Sequence, residues 1–116
     1  SEGVSKGRID LQRFVALSST NHAKMYGLYP KKGTIAVGSD ADIVLWDPKR
    51  QETLRQEILH HGADYTPYEG IVVTGFPVRT ILRGKTLVAD GALQQKKGVG
   101  TYQSRALPGS PLNTKA

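Results

Sequence analysis

The sequence contains no cysteine, and this absence excludes three kinds of chemistry. A chain without thiols forms no disulfide framework, binds no zinc through cysteine and has no cysteine nucleophile. It also has no apolar run close to the ~20 residues of a membrane-spanning helix, and its first residues lack the apolar stretch of a signal peptide. We therefore expect a soluble, cytoplasmic protein that has no membrane partner.

Aromatic residues are also scarce, at 7% of the 116 residues, and hydrophobic residues make up 38%. The length suffices for one domain or for a piece of a larger one, and makes two separate cores unexpected. The formal charge is +6, but its placement is uneven. The last part of the chain holds no acidic residue from position 94 onward, and its basic residues are Lys96, Lys97, Arg105 and Lys115.

This uneven charge argues against a nucleic-acid interface. Such interfaces cluster basic residues on one face and often interleave aromatic residues that stack on bases. The basic pairs Lys31-Lys32 and Lys49-Arg50 stand in loop-like segments beside glycine and proline, where we expect solvated charges. We therefore predict no nucleic-acid partner.

The first 32 residues predict two short helices. Residues 9–18 place apolar side chains at positions 11, 14, 15 and 17, which is a helical spacing, and Asp10 is suited to cap the first turn. A second helix is predicted over residues 22–26, with Thr20 or Asn21 as its N-cap and Gly27 directly after its end.

From residue 33 to residue 93 the pattern changes to strands and turns. The apolar run at 43–46 predicts a strand covered on both faces, and Asp47-Pro48 predicts the turn that ends it. A hairpin connection is predicted at 83–85 and another turn at Asp90-Gly91. The other predicted strands are 34–37, 71–74, 78–82 and 86–89.

Two segments are less regular. Residues 52–59 have a helix-favouring composition but lie between two turn signals, so propensity alone does not decide their structure. Residues 94–116 are rich in glycine, proline, serine and lysine, and predict an extended basic tail.

These elements do not obviously share one core. Two short helices and a few strands bury little against each other, and no predicted helix is long enough to cover the unpaired strand edges. We therefore predict that the missing packing partners come from another part of the same protein.

The candidate carriers of chemistry are histidine, aspartate and serine residues. His60 and His61 are adjacent, so in a strand they point to opposite faces, and His22 stands alone. Asp40, Asp42 and Asp47 lack the spacing of a calcium loop and are better explained as turn residues that accept backbone N–H groups. The run at 18–20 offers hydroxyls without a neighbouring base, and the glycines at 33 and 38 form no phosphate-binding loop.

Several segments carry a family resemblance. Residues 33–44 have the sequence GTIAVGSDADIV, which resembles the C-terminal signature of the metal-dependent amidohydrolase superfamily. The more specific segments are STNHAKMYGLYP at 19–30, WDP at 46–48, DYTPYEG at 64–70 and VTGFPV at 73–78. Together they resemble the dihydropyrimidinases and bacterial D-hydantoinases over nearly the whole chain.

The resemblance implies a hydrolase that opens 5,6-dihydropyrimidine or hydantoin rings at a cyclic amide bond to give N-carbamoyl amino acids, as in pyrimidine catabolism. It also implies two zinc ions, bridged by a carboxylated lysine, that activate the attacking water. In the family these ligands lie on barrel strands that precede the segment resembling this chain. We therefore expect no catalytic, metal-binding or substrate-binding residue within it, and no cofactor bound by it.

The resemblance further implies an α+β fragment with three parts. Residues 1–32 would be the closing helical elements of a (β/α)8 TIM barrel, residues 33–93 the C-terminal part of the accompanying β-sandwich, and residues 94–116 an extended basic tail. The implied partners are the remainder of the amidohydrolase chain, further copies in a homodimer or homotetramer, and a small cyclic amide substrate. Loop 64–70 and the tail are the candidates for subunit contacts.

Two alternatives remain open from the sequence. The collapsin-response-mediator proteins share the sandwich signature but act as non-catalytic cytoskeletal scaffolds; loop 64–70 resembles the enzymes more closely. In the second alternative, the chain is a free-standing β-rich binding module with a basic arm. The charge placement and the lack of a closed core both argue against this alternative.

Overall fold

The computed structural model describes residues 1–107, and its first regular element is a helical stretch of fifteen residues over 11–25. This stretch consists of α1 (Leu11–Val15), a π-helical turn (Ala16–Thr20) and α2 (Asn21–Met25) without a break. The predicted cap at Asp10 is confirmed, because its Oδ1 accepts the backbone N–H of Arg13 at 2.6 Å.

The predicted cap between the two helices is wrong. Thr20 has helical dihedral angles, and its hydroxyl donates to the carbonyl oxygen of Gly33 at 2.7 Å instead of capping a helix. The predicted helix end at Gly27 is confirmed, since its φ is +67° and Leu28 N–H donates to Ala23 O at 2.8 Å across the turn. A glycine suits this left-handed position because it has no Cβ to clash.

The second half of the chain is a four-stranded antiparallel sheet. Its strands are β1 (Ile43–Thr53), β2 (Val72–Leu82), β3 (Lys85–Ala89) and β4 (Ala92–Leu93), and they lie in the order β1-β2-β3-β4. The structure is therefore α+β, as the sequence predicts.

Both predicted turns are confirmed, although the first is one residue shorter than the predicted connection at 83–85, because Lys85 already belongs to β3. Leu82 pairs with Lys85 and Ala89 pairs with Ala92, so each turn has two residues between its strands. Both residues of each turn have positive φ, at Arg83-Gly84 and at Asp90-Gly91. This conformation matches the twist of antiparallel strands and gives tight hairpins.

Strand β1 is longer than predicted. It continues through Asp47-Pro48, where the register with β2 shifts, because Asp47 Oδ1 accepts the N–H groups of Lys49 and Arg50 and so bends the strand locally. Beyond Thr53, the undecided segment forms only a 3-10 turn at Gln56–Ile58.

The predicted strand at 34–37 is wrong. These residues have no strand partner within residues 1–107, and Ser39 N–H donates to Ala36 O at 3.1 Å, which closes a turn. The side chains of Ile35 and Val37 are exposed. A β-forming composition becomes a strand only where another strand supplies hydrogen bonds.

Within residues 1–107 the only buried hydrophobic residue is Ala23, which is 5% exposed. Helix and sheet meet through Phe14 and Trp46, whose rings lie edge to face with centroids 5.7 Å apart. Trp46 is nevertheless 48% exposed, so the prediction that strand 43–46 is covered on both faces does not hold within this chain.

The total accessible surface shows the same lack of a core. The chain exposes 9040 Å², whereas a compact monomer of this mass exposes about 6200 Å². No helix among the described residues is both long enough and apolar enough to cross a membrane.

Candidate functional site

The three histidines occupy separate places, and each ring contacts a different neighbour. The His22 ring stacks on Tyr26 with centroids 6.4 Å apart. His60 Nε2 lies 2.9 Å from the carbonyl oxygen of Gly91, and His61 Nδ1 accepts the N–H of Ala63 at 3.2 Å. Each ring therefore has a structural neighbour, which for His60 lies 31 residues away.

These side chains do not fit a zinc centre. Within residues 1–107 no group of three or more His, Cys, Asp or Glu residues could hold a metal ion. The remaining residues, 108–116, contain none of these four residue types.

The densest group of charges is a polar junction between the helical stretch and the sheet. We define the polar junction as Lys32, Asp40 and Asp42, from the connection between α2 and β1, together with Arg83 from the β2–β3 turn. Lys32 Nζ lies 2.7 Å from Asp40 Oδ2 and also pairs with Asp42. The other oxygen of Asp42 accepts the backbone N–H of Arg83 at 2.8 Å. One carboxylate therefore joins two parts of the chain that are 41 residues apart.

The polar junction is only partly exposed to solvent. The Lys32 side chain is 18% exposed, and Asp40 Oδ2 is buried with the Lys32 ammonium as its close neighbour, although the angles do not suit a regular hydrogen bond. Partial burial alone would lower the pKa of Lys32, but the neighbouring carboxylates of Asp40 and Asp42 outweigh it and raise that pKa.

The pKa of Asp42 shifts in the opposite direction. Partial burial alone would raise it, but the Lys32 ammonium and the Arg83 N–H stabilise the charged carboxylate and lower the pKa below its ordinary value of 3.8. A low pKa makes Asp42 a poor proton acceptor near neutral pH. The junction is therefore suited to hold structure, and not to transfer protons.

The predicted solvated charges need correction at two positions. Lys32 is paired inside the polar junction, as described. Arg50 Nη2 lies 3.0 Å from Glu52 Oε2. The guanidinium group also lies over the ring of Phe76, with its carbon atom 5.3 Å from the ring centroid. Both side chains therefore have charged or aromatic partners, and the spacing of the basic residues in the sequence does not predict them.

We expect the polar junction to give the protein an acid-sensitive stability. The contribution of Asp42 is fully present above its unfolded-state pKa of 3.8 and is lost as the pH falls through its lower folded-state pKa. The contribution of Lys32 is fully present below 10.5 and is lost as the pH rises through its raised folded-state pKa. The prediction is checked by thermal unfolding of the full-length polypeptide that contains this chain, measured from pH 2 to pH 11. The acid limb of the stability profile reports the loss at Asp42, and the alkaline limb reports the loss at Lys32.

The matched variants for this prediction are Asp42→Asn and Asp90→Asn. Asp42→Asn is expected to cost about 1–2 kcal/mol near neutral pH and to flatten the acid limb. Asp90 is exposed in the β3–β4 turn and forms no ion pair among the described residues, and asparagine also suits its turn position, so Asp90→Asn is expected to leave the profile unchanged. An unaltered acid limb in Asp42→Asn would contradict this role.

A second feature is an open cleft of about 400 Å³ beside loop 64–70. The loop is fixed by Gln56, whose N–H donates to Glu69 Oε2 at 2.9 Å and whose side-chain amide donates to Ala63 O at 3.0 Å. The lining residues are Arg55, Gln56, Glu57, Asp64, Tyr65, Thr66 and Glu69. Tyr65 and Tyr68 are exposed on this loop, and no nucleophile paired with a base lines the cleft.

Sequence reasoning missed the role of Arg83. Its position was predicted as part of a hairpin connection, but its side chain donates to Val99 O at 2.5 Å and to Thr101 Oγ1 at 3.0 Å. The sequence did contain one signal of this role, which is an arginine at a turn position where asparagine, aspartate or glycine is usual.

Comparison with known proteins identifies the family. A sequence model of the Amidohydrolase family matches residues 2–87. The D-hydantoinase of Geobacillus stearothermophilus is 50% identical over 110 residues, which are 95% of this chain and 23% of that protein. These matches agree with the resemblance to D-hydantoinases and dihydropyrimidinases seen in the sequence.

Solved structures agree with the sequence matches. The crystal structure of dihydropyrimidinase from Brevibacillus agri superposes with a TM-score of 0.90 at 46% identity, over 96% of this chain and 24% of that one. The L-hydantoinase (dihydropyrimidinase) from Arthrobacter aurescens superposes with a TM-score of 0.83 at 37% identity, over 87% of this chain and 22% of that one. The chain thus spans about a quarter of the length of the relatives it matches.

Proposed function

This chain belongs to the amidohydrolase family, and from that premise we propose that the complete protein is a zinc-dependent cyclic amidohydrolase. It would open 5,6-dihydropyrimidine or hydantoin rings and release N-carbamoyl amino acids. The observation that carries the proposal is the 50% identity to a D-hydantoinase over 95% of this chain. The relatives named as L-hydantoinase and dihydropyrimidinase support the same substrate class.

Within that enzyme, the role we assign to this chain is structural. Residues 1–32 would close the barrel, residues 33–93 would form the C-terminal share of the β-sandwich, and residues 94–116 would form the tail. The exposed apolar residues of the helical stretch and of β1 support this role, because they call for a covering partner. The last nine residues of the tail, 108–116, lie outside the described residues.

No catalytic step is assigned to this chain. Zinc in the proposed enzyme would supply the activation of the attacking water, and residues 1–107 contain no group of three or more His, Cys, Asp or Glu side chains that could hold a metal ion. The metal ligands and the proton-transfer groups would therefore lie in the remaining three quarters of the polypeptide. The location of the enzyme would be the cytoplasm, and its assembly a homodimer or homotetramer with loop 64–70 and the tail near subunit contacts.

The proposal is tested with the full-length polypeptide that contains this chain. Incubation of the zinc-loaded protein with dihydrouracil and with hydantoin is expected to give the N-carbamoyl products, and removal of the metal by a chelator is expected to abolish turnover. A zinc-loaded, folded protein that opens neither ring would contradict the proposal and would favour the non-catalytic scaffold.

A further inference from the structure

Arg83 has a strained backbone conformation for its residue type. It is the first residue of the two-residue turn between β2 and β3, with φ at +46°. Residues with a Cβ rarely adopt this left-handed conformation, and the residues usually found there are glycine, asparagine and aspartate. A strained residue persists where its surroundings or its role require it.

The side chain of Arg83 supplies such a role. Its guanidinium donates to Val99 O at 2.5 Å and to Thr101 Oγ1 at 3.0 Å, while its own backbone N–H donates to Asp42 Oδ1 at 2.8 Å. Two fixed hydrogen bonds from a charged, planar donor give both energy and orientation. Arg83 therefore clamps the segment that follows the sheet while Asp42 of the polar junction holds the clamp in place.

The same segment is attached at both of its ends. At its start, Gln94 N–H donates to Leu87 O at 2.8 Å and the Gln95 side chain donates to Thr86 O at 2.9 Å. At its far end, Ala106 N–H donates to Gly27 O at 2.9 Å, at the end of α2.

The approach at Gly27 is close enough to require glycine. A Cβ at this position would lie 1.7 Å from the carbonyl oxygen of Ala106, which is far inside van der Waals contact. Met25 and Tyr26 line a small pocket with residues 105–107 at the same place. The helix end is thus shaped to receive the segment.

We propose that residues 94–107 are a strap that docks on their own chain and ties the sheet to the end of α2, with Arg83 as its clamp. The strap adds to the edge-to-face contact of Phe14 and Trp46 as a link between helix and sheet. The inference does not depend on the proposed enzyme activity, because every contact lies within this chain.

The test compares Arg83→Gly with Asp90→Gly in the full-length polypeptide. Both residues are first in a two-residue turn and have nearly equal φ, +46° and +47°, so glycine relieves the same strain in both. Only Arg83→Gly removes the bonds to the strap. A lysine-specific protease then reports release of the strap through cleavage after the exposed Lys96 and Lys97.

We expect Arg83→Gly to be cleaved at these lysines about tenfold faster than the unmodified protein, because local opening limits cleavage. Asp90→Gly is expected to stay within about twofold, since no hydrogen bond among the described residues joins Asp90 or Gly91 to the strap. Equal cleavage rates for Arg83→Gly and the unmodified protein would overturn the proposal. So would equal acceleration in both variants, because the effect would then belong to the turns and not to the clamp.

Discussion

Residues 1–116, purified without any other polypeptide, are expected to show no cooperative thermal unfolding transition and to bind a hydrophobic dye strongly. The reason is the missing core, because Ala23 is the only buried hydrophobic residue among residues 1–107. A folded domain of about 100 residues absorbs roughly 60–80 kcal/mol of heat at its unfolding midpoint. Scanning calorimetry and dye fluorescence measure both properties directly.

The surface area explains why the expected effect is large. The chain exposes 9040 Å², about 2800 Å² more than a compact monomer of its mass. This excess includes half-exposed apolar side chains such as Val44, Leu45 and Trp46 on β1. A sharp heat-absorption peak and weak dye binding in the isolated chain would show that it folds without a partner, and would contradict this expectation.

The second large effect is expected for Gly33→Ala. Gly33 has φ at +81°, and a Cβ there would lie 2.4 Å from the Cβ of Ala23. The left-handed backbone costs an alanine about 1–2 kcal/mol, and forcing an extra methyl group against a packed neighbour costs about 1–3 kcal/mol more. We therefore expect the substitution to lower the free energy of unfolding of the full-length polypeptide by about 2–5 kcal/mol.

The matched control is Gly38→Ala in the same connection. Gly38 has φ at +89° and no atom within 4 Å of an added Cβ, so it carries the backbone cost without the clash. We expect a loss of about 1–2 kcal/mol from this variant. Denaturant unfolding of both variants gives the difference. Equal losses would mean that the close contact between Gly33 and Ala23 contributes nothing to stability.

Local signals in the sequence predicted local structure well. Asp10 caps the first helix, Gly27 ends the second, and the two-residue turn at Asp90-Gly91 joins strands as expected. Each of these features depends on a few neighbouring residues and on their backbone preferences. The family resemblance also depended on contiguous segments, and the comparisons agree with it.

Features that depend on distant partners were not predictable in the same way. The strand expected at 34–37 is absent because no strand lies beside it within residues 1–107. Lys32 was expected to be solvated, but it pairs with Asp42, and Asp42 also binds Arg83 from 41 residues away. The strap contact between Gly27 and Ala106 joins residues that are even farther apart in the sequence. Hydrophobic periodicity and turn chemistry contain no information on such pairings.

The most direct test of the central claim is a complementation experiment with the chain and the remainder of its polypeptide, produced as two separate proteins. Hydantoin hydrolysis and zinc content are measured for each part and for the mixture. We predict no turnover and no bound zinc in the chain alone, and turnover together with a cooperative unfolding transition in the mixture. Ring opening by the isolated chain, or one zinc ion bound per isolated chain, would contradict the account of this chain as a non-catalytic structural part of a cyclic amidohydrolase.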